Sequence, residues 1–115
     1  MIIRTLVAGL LVLGLVSSAH AQTVPDDVHC LILSNMFAKA GGDARVKEAA
    51  AQSLLYYVGR LDARANAQTI TTAMRAQRTA IDPKTASTDM GACAARLQRA
   101  QQMIQAAGRA AQPPK

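Results

Sequence analysis

Aromatic side chains are scarce in this 115-residue sequence, which has no tryptophan, one phenylalanine and two tyrosines. Proteins that stack nucleic-acid bases combine clustered basic residues with aromatic or glycine-rich motifs, and here the basic residues are dispersed. Histidine is also sparse, with His20 and His29 the two in the chain. The seven acidic residues are spread out, and no spacing brings two carboxylates together except Asp26-Asp27, which a helix start explains. There is no His-Glu-x-x-His, no nucleophile elbow, and no serine with an evident histidine and aspartate beside it. His29 next to Cys30 does not make a haem-attachment motif, which needs Cys-x-x-Cys-His. The expectation is a non-enzymatic protein without cofactor or metal.

The apolar run from Leu6 to Val16 falls well short of the roughly 20 residues that a membrane-spanning helix needs. It follows Arg4 and leads to the small-x-small sequence Ala19-His20-Ala21. That order reads as a secretory signal, residues 1–21, cleaved before Gln22. The expected destination is the periplasm or the exterior, where a pair of cysteines normally oxidises. Cys30 and Cys93 are the two cysteines, and their pairing is expected to be a structural disulfide. A metal site or a catalytic thiol lacks support, because no Cys-x-x-Cys is present and His29 is the one histidine left after the signal. Closing a loop of about 60 residues is worth roughly 4 kcal/mol in the chain-entropy description.

Without Arg4, twelve basic residues against seven acidic ones leave a charge of +5. This modest, arginine-rich excess suits anionic lipid headgroups, acidic partners or cell-wall polymers.

Apolar periodicity predicts an all-α fold, a small four-helix bundle built from residues of about 26–40, 43–65, 67–81 and 88–111. The clearest amphipathic helix runs from Asp43 to Arg64, where Val46, Ala49, Ala50, Leu54, Tyr57, Val58 and Leu61 recur at intervals of three and four. This stretch reads as the element around which the others pack. The first helix, opened by Pro25-Asp26-Asp27, is apolar nearly all round and belongs inside the bundle, with Cys30, Leu33, Phe37 and Ala40 along one seam. Gly41-Gly42 stops it. Asp43 and Asn66 are candidate caps, and Asp82-Pro83 ends the third helix. In the last helix Met90, Cys93, Leu97, Ala100, Ile104, Ala107 and Ala111 form a regular seam, opened by Ser87 or Asp89. An interior glycine, Gly59, costs roughly 1 kcal/mol against alanine. It marks a close helix approach, a kink or a tolerated defect.

Tyr56-Tyr57-Val58-Gly59-Arg60-Leu61-Asp62-Ala63-Arg64 is the densest mixture of aromatic and charged groups in the chain. Tyr56, Arg60, Asp62 and Arg64 are the candidate partner-binding residues. The structural alternative puts Tyr57 in the core, Arg60 and Arg64 on a solvated face, and Asp62 in a weak surface pair.

The signal, the short helical domain, a cysteine near the start of the first helix, another in a later helix, and the Tyr56-Tyr57-x-Gly59-x-Leu61 core together resemble the periplasmic acid-stress chaperones of the HdeA type. The resemblance implies a disulfide-tied helical fold with Cys30 and Cys93 as its bridge. Those chaperones switch by protonating acidic groups, of which this basic chain has few. The chain is also similar to small uncharacterised exported proteins of alphaproteobacteria with a comparable Gly-Arg-Leu-Asp segment, a likeness that implies no activity.

Two expectations follow. One is a periplasmic or secreted protein-binding module, chaperone-like in class, whose partner is another periplasmic protein. The other is an envelope-associated structural protein that touches anionic lipid or wall polymer through surface arginines.

Overall fold

A computed structural model describes residues 22–115, so the expected signal peptide lies outside the described residues. The described chain is all-helical: α1 (Val24–Lys39), α2 (Ala44–Arg64), α3 (Ala67–Arg78) and α4 (Ala86–Ala110). Among the described residues no helix is long and apolar enough to cross a membrane.

Each boundary has a local cause. Helix α1 starts two residues before the expected Asp26 because Thr23 and Asp26 form a reciprocal capping box. The Thr23 hydroxyl accepts from the Asp26 amide at 3.3 Å, and the Asp26 carboxylate accepts from the Thr23 amide at 3.1 Å. Hydrogen bonding from Thr23 holds the Asp26 carboxyl below its ordinary value. Gly42, at φ 130°, turns the chain into α2 in a conformation that residues with a side chain avoid. Asp43 then caps α2 through the Arg45 amide at 2.9 Å, and Asn66 caps α3 through the Thr69 amide at 2.8 Å.

Helix α3 stops at Arg78, three residues before the expected Ile81. Beyond it the Ala80 amide bonds back to the Gln77 carbonyl. Asp82 organises the next turn, its carboxylate accepting from the Lys84 amide at 2.9 Å and its carbonyl from the Thr85 amide at 3.1 Å. That turn starts α4 at Ala86, ahead of the expected Ser87 or Asp89 cap. The Asp89 side chain instead accepts from the Thr85 hydroxyl at 3.1 Å.

The central element is α1, not α2. Helix α1 packs against all three other helices, and α4 packs against α1 and α2. Its apolar residues all round the axis are explained by this position, with one core on each side. Cys30 and Leu33 meet Ala50, Tyr57, Ala86, Met90 and Cys93 on the α2–α4 side. Val28 meets Leu61 and Ala73 on the α3 side. The Cys30–Cys93 disulfide joins α1 to α4 with 5.5 Å between Cα atoms, as the sequence predicts.

Two expected seams are covered over only part of their length. In α2 the buried line is Ala50, Ser53, Tyr57 and Leu61, while Val46 and Val58 are about half exposed, at 47% and 48%. In α4, Met90 and Cys93 are buried, but Met103 and Ile104 are 67% and 66% exposed, and every residue from 101 onward faces solvent. The last three turns of α4 therefore continue past the bundle. The seam is present there, but no helix lies beside it among the described residues. Ala40 on the α1 seam is exposed as well. Gly59 faces open space, with nothing within 4 Å of where a Cβ would stand, so it serves no close approach.

Candidate functional site

Tyr56 and Arg60 lie one turn apart on the edge of α2 that faces α4. The Arg60 guanidinium stands 5.7 Å from the centre of the Tyr56 ring, within cation–π range. The Tyr56 ring meets the Tyr57 ring edge-on at 4.9 Å between centroids. Tyr57 fills the core, as expected, and donates its hydroxyl proton to the Cys93 carbonyl at 2.8 Å. Burial pushes its phenol above the ordinary 10.0, an effect that nearby Arg96 opposes.

Arg60 and Arg64 do not lie on a plainly solvated face. Both reach Asp27 on α1, whose side chain has no solvent exposure. Arg60 donates through Nε at 3.0 Å and Arg64 through Nη2 to the same carboxylate oxygen. Arg64 also donates to the backbone carbonyls of Gln22 and Thr23, at 2.6 and 3.2 Å, and so fixes the segment leading into α1. In the orientation that satisfies its neighbours, the Gln22 amide donates to the other Asp27 oxygen at 3.3 Å and accepts from Arg96 Nε at 3.0 Å. The sequence assigned Asp27 to a cap, but Asp26 takes that role and leaves Asp27 free to turn inward.

Asp62 lies apart from the other three candidates. It is exposed on the far side of α2, at the edge of a shallow groove with Leu31, Val58, Leu61 and Ile70, and forms no ion pair among the described residues.

Across from Tyr56 and Arg60, α4 supplies Arg96, Arg99, Ala100 and Met103, and the two helices enclose an open groove of about 600 Å³. Arg96 also donates to Cys30 Sγ at 3.3 Å, which ties the groove to the disulfide. Neither Arg96 nor Arg99 meets a carboxylate within ion-pair distance among the described residues. Three guanidinium groups thus border a groove with an aromatic and a thioether on its walls. Asp27 engages Arg60 from beneath but not the other two. Sequence reasoning missed Arg96 and Arg99. The available signal was the absence of any acid after Asp89, where Arg96, Arg99, Arg109 and Lys115 are the charged residues.

Other hollows offer less chemistry. One of about 480 Å³ between α1 and α3 is lined by Val24, Pro25, Thr69, Thr72 and alanines, with no ionisable group. A smaller one of about 160 Å³ lies over the disulfide, where His29 Nε2 is 3.7 Å from Asp89 Oδ2. Among the described residues no three histidine, cysteine or acidic side chains cluster as a metal site.

The geometry defines a disulfide-tied helical domain with an arginine-bordered groove. Comparison with protein-family models, with curated proteins and with solved structures gives no match.

Proposed function

We propose that this is a small exported, non-enzymatic protein-binding module that works in the periplasm or outside the cell and engages its partner through the α2–α4 face. The observation that carries the reading is the groove itself, in which Tyr56, Arg60, Arg96, Arg99 and Met103 converge next to the uncovered end of α4. Aromatic, arginine and methionine side chains are the types enriched where proteins meet. Arg60 and Arg64 now have a prior structural task at Asp27, and Tyr56 is half-buried against the Tyr57 ring and the core, so Arg99, which is exposed, is perturbed alongside Tyr56 and the fold of each variant is checked by circular dichroism.

The test is capture from periplasmic extract by the oxidised protein, at neutral pH and again near pH 3, with wild type, Tyr56→Ala and Arg99→Gln as baits. A stoichiometric neutral-pH partner lost with Tyr56→Ala supports the reading. Capture that is unchanged by the substitutions counts against it. Many unfolded clients held in acid alone would point to a chaperone of the HdeA kind instead.

The envelope-associated reading draws on one observation, the arginines Arg75, Arg78 and Arg109 exposed on other faces of the molecule. It requires binding to anionic surfaces that disappears at high salt, since Debye screening shortens to about 4 Å near 0.5 M.

A further inference from the structure

Resting on the protein-binding reading, we propose that the α2–α4 groove takes an acidic amphipathic helix of the partner, with its apolar stripe on Met103 and Tyr56 and its carboxylates on Arg96 and Arg99. Charge selects the sign of the occupant. Arg60 is already engaged by Asp27, whereas Arg96, which donates to Gln22 and to Cys30 Sγ but to no carboxylate, and Arg99 have no acidic partner within ion-pair distance among the described residues. They stand three residues apart on α4, a separation that places them on adjoining turns of one face. Carboxylates three or four residues apart on a facing helix match that spacing, and a guanidinium fork donates two parallel hydrogen bonds to the oxygens of a carboxylate.

Shape selects the kind of occupant. The groove is open, and along α4 it runs into the uncovered turns that carry Met103 and Ile104. The exposed part from residue 101 to Ala110 is about 15 Å long at 1.5 Å per residue, room for about three turns of a second helix. A small anion would leave Met103 and Ile104 bare. A second copy of this chain would set arginines against arginines across the same face. A bilayer is flat where this site is concave, and α4 past the bundle offers no aromatic residue to sit at the headgroups. A helix laid in a groove uses both features, apolar anchors at intervals of three and four and a charged rim.

The probe is a fluorescein-labelled synthetic helical peptide of about 16 residues, with one leucine stripe flanked by glutamates three and four apart. Its counterpart carries glutamine at every glutamate. Binding is followed by fluorescence anisotropy against the oxidised protein, with phosphatidylglycerol vesicles as a third probe. The expected result is saturable binding of the acidic peptide, at least about tenfold weaker for the glutamine peptide. Arg99→Gln and Met103→Gln should each weaken it about three- to fivefold. Both side chains are exposed, so circular dichroism should show an unchanged fold. Equal binding of the two peptides, no effect of either substitution, or preference for the vesicles overturns the proposal. Equal binding of the two peptides leaves the protein-binding reading intact, and failure of the Tyr56-dependent capture described above removes that reading separately.

Discussion

Tyr57 on α2 donates its hydroxyl proton to the backbone carbonyl of Cys93 on α4, at 2.8 Å, beside the bond that joins Cys93 to α1. Three helices are thereby joined at one point, by a covalent link and a buried hydrogen bond. Replacing Tyr57 by phenylalanine keeps the ring and removes the bond. The expected loss is about 1 kcal/mol, near the usual net value of such a bond, and for a domain this size it lowers Tm by about 4–8 °C. Thermal unfolding of the oxidised protein checks it. Reduction of the disulfide should cost more, roughly 4 kcal/mol.

Ser34 on α1 and Ser53 on α2 share a buried hydrogen bond of 2.9 Å, with both side chains fully enclosed. Either serine changed alone to alanine strands the other hydroxyl, at about 1–3 kcal/mol. Changing both removes the need for a partner and should cost less than the two single losses added together. A double-mutant cycle by urea unfolding measures the difference, and simple additivity would show that the two hydroxyls do not interact.

Asp27, Arg60 and Arg64 form an unequal triad, because the carboxylate has no access to water while each arginine is about one-third exposed, at 30% and 34%. Removing both arginines leaves a buried carboxylate with no countercharge and only the Gln22 amide beside it, at about 3–5 kcal/mol. Asp27→Asn frees the arginines to reach solvent and should cost less. Urea midpoints for Asp27→Asn and for the Arg60→Ala, Arg64→Ala double variant test that order. The result also limits Arg60→Ala as a probe of binding, since it disturbs the triad.

Gly59 has open space where a Cβ would stand and an ordinary helical environment. Gly59→Ala should stabilise the domain by about 0.5–1 kcal/mol by reducing the freedom of the unfolded chain. A loss of stability would show that close approach at Gly59 matters after all.

The parts of the fold legible in the sequence are those whose causes are local. The Asp43 and Asn66 caps each depend on an amide two or three residues away. The all-round apolar character of α1 indicated an inner helix, and two cysteines in an exported chain were expected to pair, as Cys30 and Cys93 do. What remained hidden depends on distant partners. Asp27 reads as a cap until Arg60 and Arg64, more than thirty residues later, are placed above it. Ser34 and Ser53 look like ordinary polar positions until they face each other. Periodicity in α4 shows that Ile104 and Ala107 share a face with Cys93, but it cannot show that the neighbouring helices end before reaching them. The patch around Tyr56 was read on α2 alone, so the sequence yielded half of the groove and missed the half that Arg96, Arg99 and Met103 supply from α4.

Partner recognition on the α2–α4 face is the proposal on which the functional reading rests. The most direct measurement is the backbone amide chemical-shift footprint of the oxidised protein, titrated with the partner recovered at neutral pH. Recognition on this face should concentrate the shifts at Tyr56, Arg99, Ala100, Met103 and Ile104 and leave α3 unaffected. A footprint centred on Thr69, Thr72 and Ala76, across the molecule on α3, would contradict it.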